Sequence, residues 1–294
     1  MTIRPDLSIC VCTRNAAMRI DQFLPPLVEC LASSEVATEL IIVEDGSTDA
    51  TLQKARSLAP DALIIPHGRN RGLPAARNTA ARTADADWLL FIDDDATIST
   101  SALMALWFGR QQDTCLVPLV RGPDGELQNS MTLMQRFLEP RFRFSDEPVP
   151  TVPFPTGTCF LIHKHTYWNA GGFDERFFPT YFDDTAFGFQ LYRRGISIRM
   201  HLAAEVIHYK HGAHSSDAVP DRVLHALFEN RWVFCMTQLS GWRRTAVMTL
   251  GLPRTAMESV RRRSFGPIEG YLRACRRLVE LTRPWPIQGL KGDE

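Results

Sequence analysis

The chain has 294 residues, 45% hydrophobic and 22% charged, the proportions of a globular protein with a sizeable core. Lys+Arg and Asp+Glu balance at 33 each, so bulk charge gives no reason to expect a nucleic acid as partner. No apolar run approaches 18 residues and the first residues lack a signal-peptide core, so a cytoplasmic protein without a membrane span is expected. Residues 7–11 are apolar and β-branched enough for a strand, and residues 18–31 have helical spacing. A strand at 40–43 precedes a helix from about Asp49, and a short strand at 62–65 precedes a helix opened by Pro74, where a missing N–H costs nothing. Residues 88–92 form a fourth strand and 101–109 another helix. This alternation implies a mostly parallel sheet with helices on both faces.

Residues 140–155 contain five prolines and read as a surface loop between two halves. Strands are expected at 160–162, 196–200 and 205–207, with a helix over 185–194 stopped by Gly195. Beyond Asp221 the pattern becomes helical and Arg-rich. From Ala218 onward there are 13 basic and 7 acidic residues, a net of +6, which leaves −6 for the first 217. The division expected is a catalytic body over 1–217 and a basic helical extension over 218–294. The seven cysteines are scattered, form no Cys-x-x-Cys, and read as reduced core residues.

The apolar run ending in Phe91-Ile92 stops abruptly at Asp93-Asp94-Asp95. Ligands of open α/β sheets bind beyond the carboxyl ends of strands. Asp93 and Asp95 share one side of an extended backbone, so both can face one cation; a solvated acidic turn is the plainer alternative. Other strand ends are also polar: Cys12-Thr13-Arg14-Asn15 after the first, Glu44-Asp45-Gly46-Ser47-Thr48-Asp49 after the second, and Asn70-Arg71-Gly72 leading to Arg77-Asn78 after the third. Asp183-Asp184 follows an aromatic run, where a carboxyl pKa rises and suits a general base; the alternative is a pair capping the helix near Thr185. His208 ends the apolar 204–207 segment, with His211 and His214 at three-residue intervals. His163 and His165 alternate along an extended segment and read as structural.

In this order and spacing the segments resemble family 2 glycosyltransferases of the GT-A fold. The resemblance continues through Gly157-Thr158, Gly171-Gly172-Phe173-Asp174-Glu175 and the Asp183-Asp184 pair, and covers about residues 6–212. It implies a nucleoside-diphosphate sugar donor (UDP-, GDP- or dTDP-linked) held by Thr13, Arg14, Asp45, Arg77, Asp93 and Asp94. It implies a Mn²⁺ or Mg²⁺ ion held by Asp95 and Asp93, with His208 as a further ligand, and inverting transfer with Asp184 or Asp183 as base. The acceptor expected is a glycan, a lipid-linked sugar or a small molecule. Ala186 and Gln190 depart from the family's acidic and basic positions in the helix after the pair. Arg231-Trp232 matches part of the Gln-x-x-Arg-Trp of processive synthases, but Phe228 replaces its glutamine, so single addition is expected. In the tail, Arg261-Arg262-Arg263 and Arg273, Arg276 and Arg277 mix with Trp232, Trp242, Phe265 and Tyr271, which fits peripheral contact with an anionic inner membrane face as well as a solvated helical face.

A Rossmann dehydrogenase is disfavoured, because no Gly-x-Gly-x-x-Gly follows the first strand. A sugar-1-phosphate nucleotidyltransferase would place a Gly-rich basic loop there, and Thr13-Arg14-Asn15-Ala16 is a poor match. A catalytically dead sugar-binding or scaffold protein is the third alternative, against which Asp93, Asp95, Asp184 and His208 all stand.

Overall fold

The computed structural model describes residues 4–135, 140–209, 221–239, 241–262 and 264–277. Its first half alternates as the sequence leads one to expect: β1 (Leu7–Thr13), α1 (Ile20–Ala32), β2 (Thr38–Glu44), α2 (Thr51–Leu58), β3 (Leu63–Pro66), α3 (Leu73–Thr83) and β4 (Trp88–Asp93). There follow β5 (Ala96–Ile98), α4 (Thr100–Gly109), β6 (Thr114–Arg121), β7 (Met131–Gln135), β8 (Pro140–Phe144), β9 (Cys159–His163), α5 (Lys164–Asn169), α6 (Asp183–Arg193) and β10 (Ser197–His208). Three helices close the described chain: α7 (Asp221–Gln238), α8 (Gly241–Arg262) and α9 (Gly266–Arg276).

Eight strands form one sheet in the order β3-β2-β1-β4-β9-β6-β10-β5. β3, β2, β1 and β4 are parallel, as are β6 and β10. β9 runs antiparallel to β4 and β6, and β5 antiparallel to β10. The central strands β1 and β4 are near-continuous apolar runs because both sheet faces are covered there. Ile9, Val11, Ile42, Leu90 and Ile92 pack with Ile20, Leu24 and Leu27 of α1 and Leu103 and Leu106 of α4. Their neighbours Cys10, Ile41, Val43, Leu89 and Phe91 point to the other face, against α3, Tyr167, Phe187 and Leu191. A third cluster joins Phe177 and Ala186 to Trp232, Val233, Phe234 and Met236 of α7 and Tyr271 of α9. The C-terminal helices therefore share a core with the segment around α6.

Several expectations need correction. The 140–155 segment is not all loop: β8 pairs antiparallel with β7 in a two-stranded ribbon. The 196–200 and 205–207 strands are one strand, β10, whose register on β6 shifts between His201 and Glu205. Such irregularities re-aim a strand end, and this one leads to His208 paired opposite Ala96. β6 escaped the sequence reading because Pro118 interrupts its apolar run and Pro argues against a central strand. The structure accommodates it: β9 pairs with β6 only at Leu116↔Leu161, while Asn129 donates to Pro118 O at 2.7 Å and accepts from Val120 N–H at 3.0 Å. His165 lies in α5 rather than in an extended segment, and its N–H donates to the His163 ring at 3.3 Å. α6 starts at Asp183, two residues earlier than expected, and no side chain caps it. The N-cap residue is Phe182, while Asp184 Oδ1 accepts from Thr185 N–H within the first turn, so the pair does bond a helix-start N–H.

Candidate active site

The register of the parallel strands sets Thr13 opposite Glu44 and Cys12 opposite Asp93, so the polar ends of β1, β2 and β4 reach one edge together. Arg77 projects from α3 into this edge and is buried. Its Nη1 donates to Asp183 Oδ2 at 3.0 Å; its Nη2 donates to Asp93 Oδ1 at 3.2 Å and to Gly157 O at 2.8 Å. Gly157 is needed for this approach, since a Cβ there would meet Nη2 at 2.7 Å. Burial opposes charge on the guanidinium, but Asp93 and Asp183 outweigh it and raise its pKa.

The two acids of the pair are treated differently. Asp183 is buried against Arg77, and burial raises its pKa while that guanidinium lowers it. Asp184 receives only the N–H (2.6 Å) and hydroxyl (3.3 Å) of Thr185 among the described residues. Burial, then the adjacent Asp183 charge, push its carboxyl up to about 7. That is a carboxylate poised to take a proton near neutral pH.

Asp93, Asp95 and His208 each offer a ligand atom within 4.8 Å of the others. His208 Nε2 lies 3.3 Å from Asp95 Oδ1, and Nδ1 lies 2.9 Å from Gln128 Oε1. The Gln128 amide nitrogen donates to Glu126 Oε1 at 2.8 Å, so its oxygen must face the imidazole. Nδ1 therefore carries the hydrogen, and Nε2 is the nitrogen turned toward the carboxylates. Two carboxylates and one imidazole suit Mn²⁺ and accommodate Mg²⁺. Burial, ahead of the opposing pull of Arg77, pushes Asp93 up to about 6, and the Asp95 charge adds to the rise. A cation at the triad would oppose that rise.

Asp94 turns away from the triad. It accepts from Thr13 Oγ1 at 2.6 Å and from Arg19 Nη2 at 2.9 and 3.0 Å. Burial raises its pKa against the pull of Arg19. Asp45 holds the loop before α3: Oδ1 accepts from Arg71 N–H at 2.8 Å and meets His67 Nδ1 at 2.7 Å, while Oδ2 accepts from Gly72 N–H at 2.8 Å. Gly46 permits this arrangement at φ +66, because a Cβ there would sit 2.2 Å from the Arg69 carbonyl carbon. Arg14 is exposed, and its carbonyl accepts from Arg19 Nη2 at 3.5 Å.

The structure thus brings Arg77, Asp93, Asp95, Asp183, Asp184 and His208 together, with Thr13–Asp94 and Asp45 as flanking branches. His211 and His214 lie outside the described residues. Arg19, His67 and Gln128 were missed by sequence reasoning. Arg19 reads as the start of a helix, and Gln128 lies in a turn-rich stretch whose meaning depends on the position of His208.

A family profile described as Glycosyl transferase family 2 matches residues 8–171. The chain belongs to this family. Over 296 residues it is 27% identical to the N-acetylglucosaminyl-diphospho-decaprenol L-rhamnosyltransferase of Mycobacterium tuberculosis, covering 84% of this chain and 94% of that protein. The fold matches a mannosyltransferase of Pyrobaculum calidifontis, PcManGT, solved with GDP-Man and Mn²⁺, at a TM-score of 0.54 and 19% identity over 96% of this chain and 89% of that one. It also matches GalNAc-T7 solved with UDP, GalNAc and Mn²⁺, at a TM-score of 0.63 and 12% identity. There the match covers 88% of this chain and 52% of the other, so this glycosyltransferase spans about half that neighbour's length. The expected GT-A-type sheet, flanked by helices and followed by C-terminal helices, is the architecture present.

The raised pKa of Asp184 has a thermodynamic consequence of definite sign. Its folded value lies above its ordinary one, so the stability linked to its protonated form is lost as pH rises toward about 7. Asp184→Asn, which stays neutral, is expected to melt above the wild type at pH 8, with the gap closing as pH falls toward about 4. Thermal unfolding of both proteins across that range checks it, and a gap independent of pH would contradict it.

Proposed function

We propose that this glycosyltransferase moves a sugar from a nucleoside-diphosphate donor to an acceptor hydroxyl with inversion, one sugar per encounter, and that Asp184 is the base. The observation that carries this reading is the division of labour at Arg77. The guanidinium engages Asp183 and Asp93 and leaves Asp184, with its pKa raised to about 7, to meet the acceptor. Asp184 takes the acceptor proton as that oxygen attacks the anomeric carbon. The bond from that carbon to the diphosphate oxygen breaks on the opposite face, and a single displacement inverts the centre. A divalent cation held by Asp93, Asp95 and His208 would neutralise charge on the departing diphosphate. Thr13, Arg14, Asp45, Arg77, Asp93 and Asp94 are read as the nucleotide-binding group. Asp45 serves it by holding the 67–72 loop, and Arg14 by standing exposed at its rim.

Single addition is supported by the place of the Arg-Trp pair. Trp232 is buried against Tyr271 at 5.1 Å between ring centroids, and Arg231 pairs with Glu258 at 3.0 Å. A lipid-linked acceptor is supported by the mycobacterial relative, whose name carries a decaprenol diphosphate. We read the body as residues 1–217 and the extension as 218–294, working at the cytoplasmic face of a membrane. Among the described residues no helix is long and apolar enough to cross a bilayer. The outward side of α8 fits lying on one: Trp242, Leu250, Met257 and Val260 are exposed, with Phe265 just beyond it. The helix carries five arginines and a single acidic residue, Glu258. Trp232 and Tyr271 do not belong to that surface, since both are core. Arg263 lies outside the described residues.

Asp184→Asn should lower turnover by about 10²–10⁴-fold with donor affinity retained, the usual cost of losing a general base. Asp183→Asn should also lose stability, because it frees one arm of a buried guanidinium. Single-turnover kinetics on both variants decide, and near-wild-type turnover by Asp184→Asn excludes it as base. For the cation, Asp95→Ala should abolish the Mn²⁺-dependent part of GDP or UDP binding measured by calorimetry. Equal wild-type affinity in Mn²⁺ and in EDTA would refute a bridging ion. For the membrane, the protein should co-sediment with phosphatidylglycerol vesicles and be released as salt rises, since exposed charges are screened. Full recovery in the supernatant at low salt would leave α8 as a solvated face.

A further inference from the structure

Asn230 is fully buried on α7, far along the chain from the acidic pair. Its side-chain nitrogen donates to Thr180 O at 2.7 Å and also meets Tyr181 O at 3.2 Å and Phe178 O at 3.3 Å. Those carbonyls belong to the turn that immediately precedes Asp183. Within it Tyr181 (φ +78) and Phe182 (φ +64) are consecutive non-glycine residues in the left-handed region. Such residues are strained and persist only where their surroundings over-determine them.

Asn230 Oδ1 has no hydrogen-bond partner among the described residues, although the atom is buried. A buried acceptor left without a bond is destabilising. A leucine, similarly branched and apolar, would avoid that cost on a helix whose neighbouring residues Trp232, Val233 and Phe234 are core. The amide is explained by its N–H groups, which gather three carbonyls of one strained turn. The same turn meets the donor side: Pro179 O accepts from Leu73 N–H at 2.8 Å, at the start of α3, which carries Arg77. Phe182 then supplies the carbonyl for the first bond of α6, from Ala186 N–H at 2.8 Å.

We propose that Asn230 is a positioning residue for the transfer step. It holds the 178–182 turn so that α6 begins with Asp183 directed to Arg77 and Asp184 directed to the acceptor. This rests on the reading of Asp184 as base, and it makes α7 part of the catalytic apparatus.

The test uses the full chain and four variants: Asn230→Leu, Asn230→Ser (smaller, with one donor kept), Val233→Ala (a cavity in the same cluster with the amide intact) and Asp184→Asn. With whichever UDP-, GDP- or dTDP-sugar the wild type turns over, Asn230→Leu should lower kcat by about 10- to 100-fold, the scale of a small misplacement of a reacting group. Donor KM should change less than kcat, because none of the nucleotide-binding side chains is substituted. Its acid limb should move to lower pH, since a loosened turn hydrates Asp184. Asn230→Ser should keep more kcat than Asn230→Leu, and Val233→Ala should lose melting temperature but not kcat.

A kcat for Asn230→Leu no lower than that of Val233→Ala would overturn the proposal, as would a loss confined to KM. Should Asn230→Leu not fold, Asn230→Ser carries the same comparison. If Asp184→Asn keeps wild-type kcat, the base reading fails instead, and a melting cycle decides the positioning without turnover. The pH 8 gain in melting temperature from Asp184→Asn should shrink when Asn230→Leu is also present, and an unchanged gain would overturn the proposal.

Discussion

A single buried cation organises this molecule. Arg77 reaches from α3 to the end of β4, to the Gly157 carbonyl and to the first residue of α6, so three separate stretches of chain meet on one guanidinium. A buried charge is tolerated only when paired and hydrogen-bonded, and here the pairing also sorts the carboxylates. Asp183 and Asp93 are held by it, Asp94 is held by Arg19, and Asp95 faces His208. Among the described residues Asp184 makes no ion pair, and Arg77 only partly offsets the rise of its pKa. Removing Arg77 would strand two carboxylates in a site that already disfavours charge, a loss of about 3–5 kcal/mol for buried pairs.

Beneath the site an aromatic layer supplies the stiffness that such electrostatics need. Phe91 stacks on Phe160 at 4.7 Å, and Phe173 on Phe187 at 4.6 Å, with Tyr167 between them. Arg77 lies 4.9 Å above the Phe173 ring. Asn78, the neighbour of Arg77, accepts from Tyr167 Oη and Phe173 N–H and donates to Phe173 O and Glu175. The Gly171-Gly172-Phe173-Asp174-Glu175 segment is thereby tied to α3, so α3 and the aromatic layer keep a fixed distance.

What was legible in the sequence follows from locality. β1, β2 and β4 declare themselves by unbroken apolar runs, and their loaded ends announce the site before any contact is known. In the acidic triplet Asp93 and Asp95 lie together, as their same-side spacing suggested, while Asp94 turns to Thr13 and Arg19. Illegible were features that depend on distant partners. β6 hides behind Pro118, and β9 gives no local sign of running antiparallel. Gln128 has meaning only because the register shift in β10 carries His208 to it. Asn230 looks like an ordinary helix residue until three carbonyls from the 178–182 turn are found beneath it.

The packing of α7 against Phe177 and Ala186 also bears on the order in which this enzyme becomes competent. Chains emerge from the ribosome N-terminus first, and local units fold as they appear. The sheet and its acidic strand ends are complete once β10 has emerged, yet the cluster that seats the acidic pair still lacks Trp232, Val233 and Phe234. A nascent chain halted before α7 would expose the apolar side of α6 and hold its two acids on an unsupported turn. On the proposed reading, nucleotide recognition and transfer would mature at different times, and a chain ending before α7 would carry the strand ends at the sheet edge without the cluster that seats the acidic pair.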